Sequence, residues 1–563
     1  MRRLVRSAVA GAACGVVALG SAWAVVGVAT PPPVPTVNEV TGLAPGAPGA
    51  AGSRTGSLQL PATTPAPGVR LGEGQFLAGG AKVSIAPNPD RWQPNIPEGT
   101  CGNDTQTYLT GALSTKNRTL GKTKPGKHCL ATFDHRWATT VDPLGIYARA
   151  TALSNGAQTI VLASIDAVGW FAAYPADVCA TCGADAIRAK VAELTKNAAR
   201  PVAADNIVLS STHTHAAPDT LAQTPTWYYE QVRDAIIKVM TDAVAALEPV
   251  VLETGATPAK AFNVDRRIAT RAVPDSELGW LRAFRPADGD TPAKTVATIV
   301  NYATHPTVRT ANAELHSGFV GPLTRDLETK LGGTAVWFPG GLGDQTVDRG
   351  FGTEGLGTGL ANAVIGDLHA GYRIQDNTIE TIRKPVAIPA ENTFMLAARG
   401  AGVFVRDLLP PYSSPGGPVT VSKGGIPRPT CTTVAALMVN SSVTGIRIGH
   451  SGNAQRGDPG DSITIITTPG EAFASIALTT KDYLSKTRNV FVIGLANDTV
   501  GYLIPRQQYD ETAAQGLGLV NNATDLGDYE EALSLGRCAG DTVQNVMLEA
   551  GQSLGVMGAG EGR

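Results

Sequence analysis

Histidines follow two apolar segments of this sequence, and together they could bind a metal. Residues 207–212 lead into His213 and His215, and residues 295–302 lead to His305. Side chains alternate along a strand, so His213 and His215 are expected to project from one face. The pair alone also fits a strand end with two solvated imidazoles. A histidine at a second strand end makes a shared metal plausible, because imidazole is a favoured zinc ligand.

Oxygen-bearing side chains stand at comparable places. Asp166 ends the apolar segment 159–166, where it could cap a loop or orient a metal-bound imidazole. Glu471 follows the apolar segment 462–468 at the start of a predicted helix, where its ordinary role is a contact with the helix N-terminus. Tyr502 lies in a loop beyond the next predicted strand, a position where tyrosine ordinarily packs.

Two loops could carry further substrate contacts. Adjacent arginines such as Arg266 and Arg267 are usually solvated, but in a pocket one of them could orient an acyl oxygen, a carboxylate or a phosphate. The glycine-rich turn 339–346 lacks the lysine of a phosphate-binding loop. Glycines allow close backbone approach, so this turn could place Asp344, Gln345 or Thr346 at a pocket.

The elements that must position these residues form an α/β pattern. A helix at about 184–198 separates the strands at 159–166 and 207–212, which is the crossover of an α/β sheet. Sites in such sheets gather at the carboxyl ends of strands. The fold class predicted is α/β, a large single catalytic domain with mixed sheets flanked by helices. Further helices are predicted at about 225–247, 318–331, 355–369, 472–484 and 541–554.

Composition narrows the function classes. The 563 residues are 43% hydrophobic and 17% charged, enough for a large core and for an enzyme. Net charge is −2 and no long basic block occurs, so nucleic acid is not an expected partner.

The N-terminus predicts export. Arg2, Arg3 and Arg6 precede an uncharged apolar run at about 7–30, which is either a cleaved signal peptide or an N-terminal membrane anchor. Residues 31–72 form a linker rich in Pro, Gly and Ala. The rest is therefore expected to be secreted or anchored at the outer face of the cell membrane.

Cysteine usage agrees with export. Of seven cysteines, Cys14 lies in the export segment, and an even number remains, which suggests up to three disulfides with the pairing open. The remaining six are Cys101, Cys129, Cys179, Cys182, Cys431 and Cys538. The spacing of Cys179 and Cys182 also fits a zinc knuckle or a redox pair, although structural disulfides are favoured in an exported chain.

In their order along the chain, the site segments resemble the catalytic domain of the neutral (alkaline, non-lysosomal) ceramidases. The likeness covers roughly residues 75 to 515, and no single motif carries it. The segments are Thr212-His213-Thr214-His215, His305-Pro306-Thr307, Gly343-Asp344, Pro469-Gly470-Glu471, and Gly501-Tyr502 with Gln508-Tyr509.

The resemblance implies a zinc amidohydrolase that cleaves the amide of ceramide or a related N-acyl lipid by attack of a zinc-activated water. One Zn²⁺ per chain would be held by His213, His305, Glu471 and Tyr502. His215 would stand beside the metal and move the proton to the leaving amine. Arg266 would contact the substrate near the reacting group, and Asp166 could orient a histidine.

Two departures from the family pattern matter. Thr346 stands where the family has a catalytically implicated serine; it keeps a hydroxyl but is β-branched, so its role is open. Few residues follow Tyr502, so the family's C-terminal β-sandwich domain is expected to be absent. The domains expected are a hydrolase domain at 73–515 and a C-terminal extension at 516–563.

Substrate class is not readable from these residues, because the shape of an apolar slot is not encoded in a motif. A lipid amide is the leading substrate, with a membrane surface as a possible partner. The alternatives are a zinc hydrolase of another amide or ester, such as a cell-envelope component, and a catalytically inactive exported binding protein on the same fold. Metal binding and ceramide turnover separate the three.

Overall fold

The structure is a computed structural model, and it describes most of the chain from residue 75 onward. The predicted export segment and linker lie outside the described residues, as do Cys101 and Cys431. The described residues are 75–94, 122–124, 127–133, 137–221, 224–267, 274–308, 313–393, 395–396, 437–453, 458–509 and 529–558.

Nine strands form the first sheet within these residues. Eight follow one path, and Tyr372–Arg373 pairs beside it with Glu248–Pro258. The path runs Thr334–Pro339, Lys294–Tyr302, Glu277–Arg285, Glu248–Pro258, Phe76–Ser84, Tyr147–Ser154, Thr159–Ile165 and Ile207–Ser211. The sheet is mixed, because its two outermost pairs are parallel and the pairs between them antiparallel. The predicted crossover is confirmed, since Thr159–Ile165 runs parallel to Ile207–Ser211 across the helix Ala184–Thr195.

A second sheet of four strands lies against the first. Its order is Ile379–Pro389, Met438–Ile448, Ile463–Thr467 and Asn489–Ile493, and the last pair is parallel. One apolar core joins the two sheets: Val208 and Leu252 of the first sheet belong to the same buried cluster as Ile446, Ile465 and Phe491 of the second. The side chains facing this layer are excluded from water on both sides, which explains the nearly continuous apolar runs.

Helices cover the outer faces of both sheets. Ile236 and Val239 of one helix share a core with the first sheet, and Val543 and Met547 of another share a core with the second. The predicted fold class, α/β with mixed sheets flanked by helices, is confirmed. The helices are Ala176–Cys179, Ala184–Thr195, Thr226–Ala245, Val320–Leu331, Gly352–Asp367, Ala474–Tyr483, Tyr529–Ala532 and Ala539–Ser553.

Short ladders beyond the sheet ends hold the loops that carry polar residues. Gln345–Val347 pairs with Asn263–Asp265, and Glu471–Ala472 pairs in parallel with Tyr502–Leu503. The backbone N–H of Tyr502 also donates to the carbonyl oxygen of Leu533, 3.2 Å away. Residues 529–558 therefore pack against the second sheet and its loops rather than apart from them.

Three further two-stranded ladders lie elsewhere among the described residues. Glu314–Leu315 pairs in parallel with Thr140–Val141, and Lys122–Lys124 pairs with Lys127–His128. Ser451–Asn453 pairs with Asp458–Gly460 beyond the second sheet.

The four cysteines among the described residues form disulfides. Cys179 and Cys182 are joined to each other by a disulfide, and Cys129 and Cys538 each take part in a disulfide as well. The zinc-knuckle alternative is therefore wrong for Cys179 and Cys182. Among the described residues, none of the helices has the length and apolarity needed to cross a bilayer.

Candidate metal centre

His213 is placed by a sharp turn at the end of its strand. The strand stops at Ser211, and His213 has a left-handed backbone with φ of 64°. Its N–H donates to the Ala167 carbonyl, and its ring Nδ1 lies 2.5 Å from the Val168 carbonyl oxygen. A non-glycine residue held at positive φ is uncommon and marks a local constraint. The alternation argument for this strand was therefore wrong, although the ring does reach the site.

His215 completes the histidine pair from the following loop. Its Nε2 lies 3.4 Å from Nε2 of His213. The ring of Phe133 packs edge-on against it, with centroids 4.8 Å apart. Burial, with the neighbouring imidazoles of His213 and His305, holds the pKa of His215 well below 6.5. His215 is therefore a neutral imidazole at pH 7.

His305 lies at the end of the parallel strand pair at the opposite edge of the first sheet from the strand that precedes His213. It follows the strand Lys294–Tyr302, and its backbone bridges that of Thr346. Its Nδ1 lies 2.7 Å from the carbonyl oxygen of Gln345. Burial and the nearby Arg266 guanidinium lower the pKa of His305 to about 3. This ring is also neutral.

The tautomers of His213 and His305 follow from these contacts. A carbonyl oxygen faces Nδ1 of each ring, so the proton is assigned to Nδ1 and each Nε2 offers a lone pair. These Nε2 atoms lie 3.3 and 3.1 Å from one oxygen of Glu471, which is also an acceptor. Three acceptors so close together repel one another unless a cation lies among them. The two ring nitrogens and the carboxylate oxygen therefore fit the ligand set of a metal ion.

Glu471 and Tyr502 come from paired positions of the short parallel ladder beside the second sheet. Burial alone would raise the pKa of Glu471, but His213 and His305 hold it well below its usual range, which requires a proton or a metal ion between their Nε2 atoms and the carboxylate. The Tyr502 hydroxyl accepts a hydrogen bond from Arg266 Nη2, 3.0 Å away. Oxygen and nitrogen donors of this kind are those that bind zinc.

All four ligands implied by the resemblance therefore reach one place in the fold, three of them directly against one another and Tyr502 through Arg266. The ligand atoms of His213, His215 and His305 lie within 4.8 Å of one another. The structure thus also brings in His215, which was expected to stand beside the metal.

Arg266 lies at the centre of this arrangement. Its Nη2 donates to the Gly343 carbonyl oxygen at 2.6 Å as well as to Tyr502, and its Nη1 lies 3.4 Å from Nε2 of His305. The side chain is 9% exposed. The guanidinium thus lies beside the histidines, and its contact with a substrate stays a prediction.

An acidic pair near the C-terminus also reaches the site, and no sequence signal had indicated it. Glu530 Oε1 lies 3.1 Å from Arg266 Nε, and Glu531 contacts Arg267 through both of its oxygens. Burial raises the pKa of Glu530 to about 8, while Arg266 and Arg267 oppose that rise. The pattern of a short helix bearing two glutamates is too common to identify a site.

Thr346 and its neighbours lie beside His305. The Thr346 hydroxyl is 3.3 Å from the hydroxyl of Thr307. Asp344 accepts a hydrogen bond from the Ala474 N–H at 2.7 Å, and burial raises its pKa to about 6. Asp344 therefore caps the helix that follows Glu471, and the Gln345 carbonyl orients His305.

Of the two roles considered for Asp166, its backbone contact fits that of a loop cap. Its carboxylate accepts a hydrogen bond from the Tyr147 N–H at 2.8 Å, and burial raises its pKa to about 6. The groups that face Nδ1 of His213 and His305 are backbone carbonyls. Main-chain oxygens therefore fill, for these two rings, the orienting role predicted for Asp166.

Comparison with known proteins gives matches at the level of structure only. No family model matches the chain, and neither does any curated protein. Among solved structures, the neutral ceramidase from Pseudomonas aeruginosa matches at 14% identity with a TM-score of 0.55, over 85% of this chain and 74% of that one. A structure described as ceramidase complexed with C2 matches at 14% identity with a TM-score of 0.54, over 85% of this chain and 75% of that one.

These matches show a shared fold. Within it, this chain places three imidazoles, a carboxylate, a phenol and a guanidinium around one point. The resemblance drawn from the sequence is confirmed for the fold of the catalytic domain.

Proposed function

We propose that this chain, which has the neutral ceramidase fold, is an exported zinc hydrolase that cleaves the amide bond of ceramide or a related N-acyl lipid. The observation that carries the proposal is the convergence of His213, His305 and Glu471 with their acceptor atoms facing one another. They come from three strand ends in two sheets. Packing alone gives no reason to bury such a set without a cation.

The residues fit a zinc ion held by His213, His305, Glu471 and Tyr502. When bound, zinc lowers the pKa of water towards neutrality and polarises an acyl oxygen. His215 is neutral and presents Nε2 at the same point, 3.4 Å from His213. That nitrogen can take up a proton from water and return it to the leaving amine. The edge-on Phe133 ring limits rotation of the His215 ring.

Arg266 supplies fixed positive charge near the reacting group. Its guanidinium is buried and lies between Tyr502 and His305, where charge develops on the acyl oxygen during amide hydrolysis. Thr346 offers a hydroxyl beside Thr307 that can position water or the amide. In this proposal Thr346 is a hydrogen-bonding group and not a nucleophile.

Substrate and location rest on separate observations. The solved structures with this fold are described as ceramidases, which favours a lipid amide over other acyl compounds. The basic N-terminus with its apolar run favours export, and so does the Cys179–Cys182 disulfide, because disulfides persist in oxidising compartments.

The decisive experiment measures fatty-acid release from a fluorescent ceramide by wild type, His213→Ala and Thr346→Ala. We expect turnover by wild type, none by His213→Ala, and a reduction of about tenfold for Thr346→Ala through a lost hydrogen bond. Loss in Thr346→Ala as complete as in His213→Ala would contradict the hydrogen-bonding role given to Thr346.

Metal analysis of the same samples separates the alternatives. About one zinc per wild-type chain with ceramide turnover supports the proposal. Zinc without ceramide turnover would instead favour a hydrolase of another amide or ester. A protein without zinc and without turnover would favour the binding protein. Because Cys179 and Cys182 are joined by a disulfide, zinc found in the protein would not be attributed to them.

A further inference from the structure

Two ion pairs lie side by side next to the candidate metal centre. Glu530 Oε1 is 3.1 Å from Arg266 Nε, and the two oxygens of Glu531 are 2.8 and 2.9 Å from the terminal nitrogens of Arg267. Neither glutamate side chain is exposed. Within this cluster burial raises the pKa of Glu530, and the two arginines oppose that rise by favouring its ionised form.

The two arginines differ in what else they touch. The terminal nitrogens of Arg266 contact the Tyr502 hydroxyl, the Gly343 carbonyl oxygen and Nε2 of His305. Arg267 instead lies over the ring of Phe473, 5.1 Å from its centroid, with both terminal nitrogens on Glu531. Glu530 Oε2 also lies 3.4 Å from Nη1 of Arg267, so Glu530 bridges the two arginines, whereas the contacts of Glu531 described above are with Arg267.

The acidic helix is itself held firmly. Asn392 Nδ2 donates to three backbone carbonyls of this segment, those of Glu531, Ala532 and Ser534. On its other side, the Tyr502 N–H donates to the Leu533 carbonyl. Gly501 has a φ of 87°, and a Cβ there would collide with the Leu533 carbonyl oxygen. The carboxylate of Glu530 is thus fixed relative to the loop that carries Tyr502.

We propose that Glu530 is a positioning residue: it holds Arg266 by Nε so that the two terminal nitrogens face the metal centre and the substrate's acyl group. The contact is an ion pair without hydrogen-bond alignment, so Glu530 acts on the guanidinium by charge at its Nε end and leaves the terminal nitrogens to the metal centre. This inference rests on the proposed amide hydrolase function. It assigns a positioning role to Glu530, which lies beyond the segment that resembles the family.

The test compares Glu530→Gln with its matched control, Glu531→Gln. Both changes replace a buried carboxyl group by an amide and keep the side-chain shape. Loss of an orienting partner costs about 10- to 100-fold in activity, so we expect kcat/KM of Glu530→Gln to fall by that factor, mainly through kcat, with zinc content unchanged. Glu531→Gln is expected to lower the Tm at least as much while keeping kcat/KM near wild type.

A double-mutant cycle separates positioning from general damage. If Glu530 acts through Arg266, the double variant Arg266→Ala with Glu530→Gln has the same kcat/KM as Arg266→Ala alone. A further loss in the double variant, multiplied from the two single losses, would overturn the proposal. So would equal losses of kcat/KM in Glu530→Gln and Glu531→Gln.

A binding measurement keeps this inference distinct from the proposed function. Octanoate, a short fatty-acid carboxylate, is titrated into each zinc-loaded protein by calorimetry. We expect weaker binding in Arg266→Ala and Glu530→Gln than in wild type and Glu531→Gln. That pattern without any ceramide turnover would sink the proposed function and leave the positioning role standing. Ceramide turnover with no difference between the two glutamine variants in either measurement would sink the positioning role alone.

Discussion

Two buried carboxylates stand at corresponding places in the two sheets, yet their pKa values move in opposite directions. Asp166 follows a strand of the first sheet, and burial raises its pKa to about 6. Glu471 follows a strand of the second sheet, and its pKa lies well below the usual range because His213 and His305 outweigh its burial. One carboxylate faces a backbone N–H and the other faces two imidazoles.

The difference shows that the partners of these two strand-end carboxylates depend on which residues the other sheet brings to them. Glu471 meets histidines that come from the first sheet, so its site lies between the sheets. Asp166 closes a turn within the first sheet, where the Tyr147 N–H is its partner. Variants of His305 and Glu471 test the metal-binding half of this contrast, and a variant of Asp166 tests the other half.

Removing an imidazole should give the largest effect. His305→Ala takes away one nitrogen donor, and we expect no zinc to remain after dialysis. The loss of several kcal/mol of transition-state stabilisation corresponds to about a 10³-fold or greater fall in kcat/KM. Zinc content and ceramide hydrolysis measure the two effects. His450→Ala is the control, because that side chain is 53% exposed, and it should leave both quantities unchanged.

Neutralising Glu471 should give an intermediate effect. Glu471→Gln keeps an oxygen donor and removes one negative charge beside the metal. The lost attraction is on the order of 3 kcal/mol at an intermediate dielectric, so we expect about 10²-fold weaker zinc binding. Competition with a chelator measures the affinity. Asp166→Asn is the matched control, and zinc binding weakened equally in both variants would end the distinction between the two carboxylates.

Much of the fold was predictable because the signals are local. The helix found at Val320–Leu331 and the strand at Lys294–Tyr302 are amphipathic or apolar runs bounded by clear breakers, and both were expected within a few residues. The strand Ile379–Pro389 was not predicted, because Pro385 and Pro389 interrupt its pattern. Its hydrogen bonds with Met438–Ile448 are a tertiary effect that a local window does not contain.

The candidate site was likewise predictable only in part. Histidines and carboxylates that follow apolar segments could be recognised in the sequence. The family resemblance then assigned them to a single site. Their orientation was not visible, because the Val168 and Gln345 carbonyls that set the tautomers carry no side-chain signal. The left-handed turn at His213 and the arrival of Glu530 depend on packing between distant segments.

The smallest effect on activity is expected from Asp166→Asn, and its signature lies in stability. The pKa of Asp166 is raised from 3.8 to about 6 in the folded protein, so the folded state binds its proton more tightly than the unfolded state does. Its contribution to stability is therefore fully present below about pH 4 and is lost as the pH rises through 6.

Asparagine does not titrate, so the free energy of unfolding of Asp166→Asn, relative to wild type, should increase by about 2 kcal/mol between pH 4.5 and pH 7. Urea denaturation at the two pH values measures this difference, and zinc content should stay near that of wild type. The sign of this pH-dependent change in relative stability tests whether the pKa of Asp166 is raised. A relative stability that fell with rising pH would mean that Asp166 has a lowered pKa, as a carboxylate held by cations does, and the contrast with Glu471 would disappear.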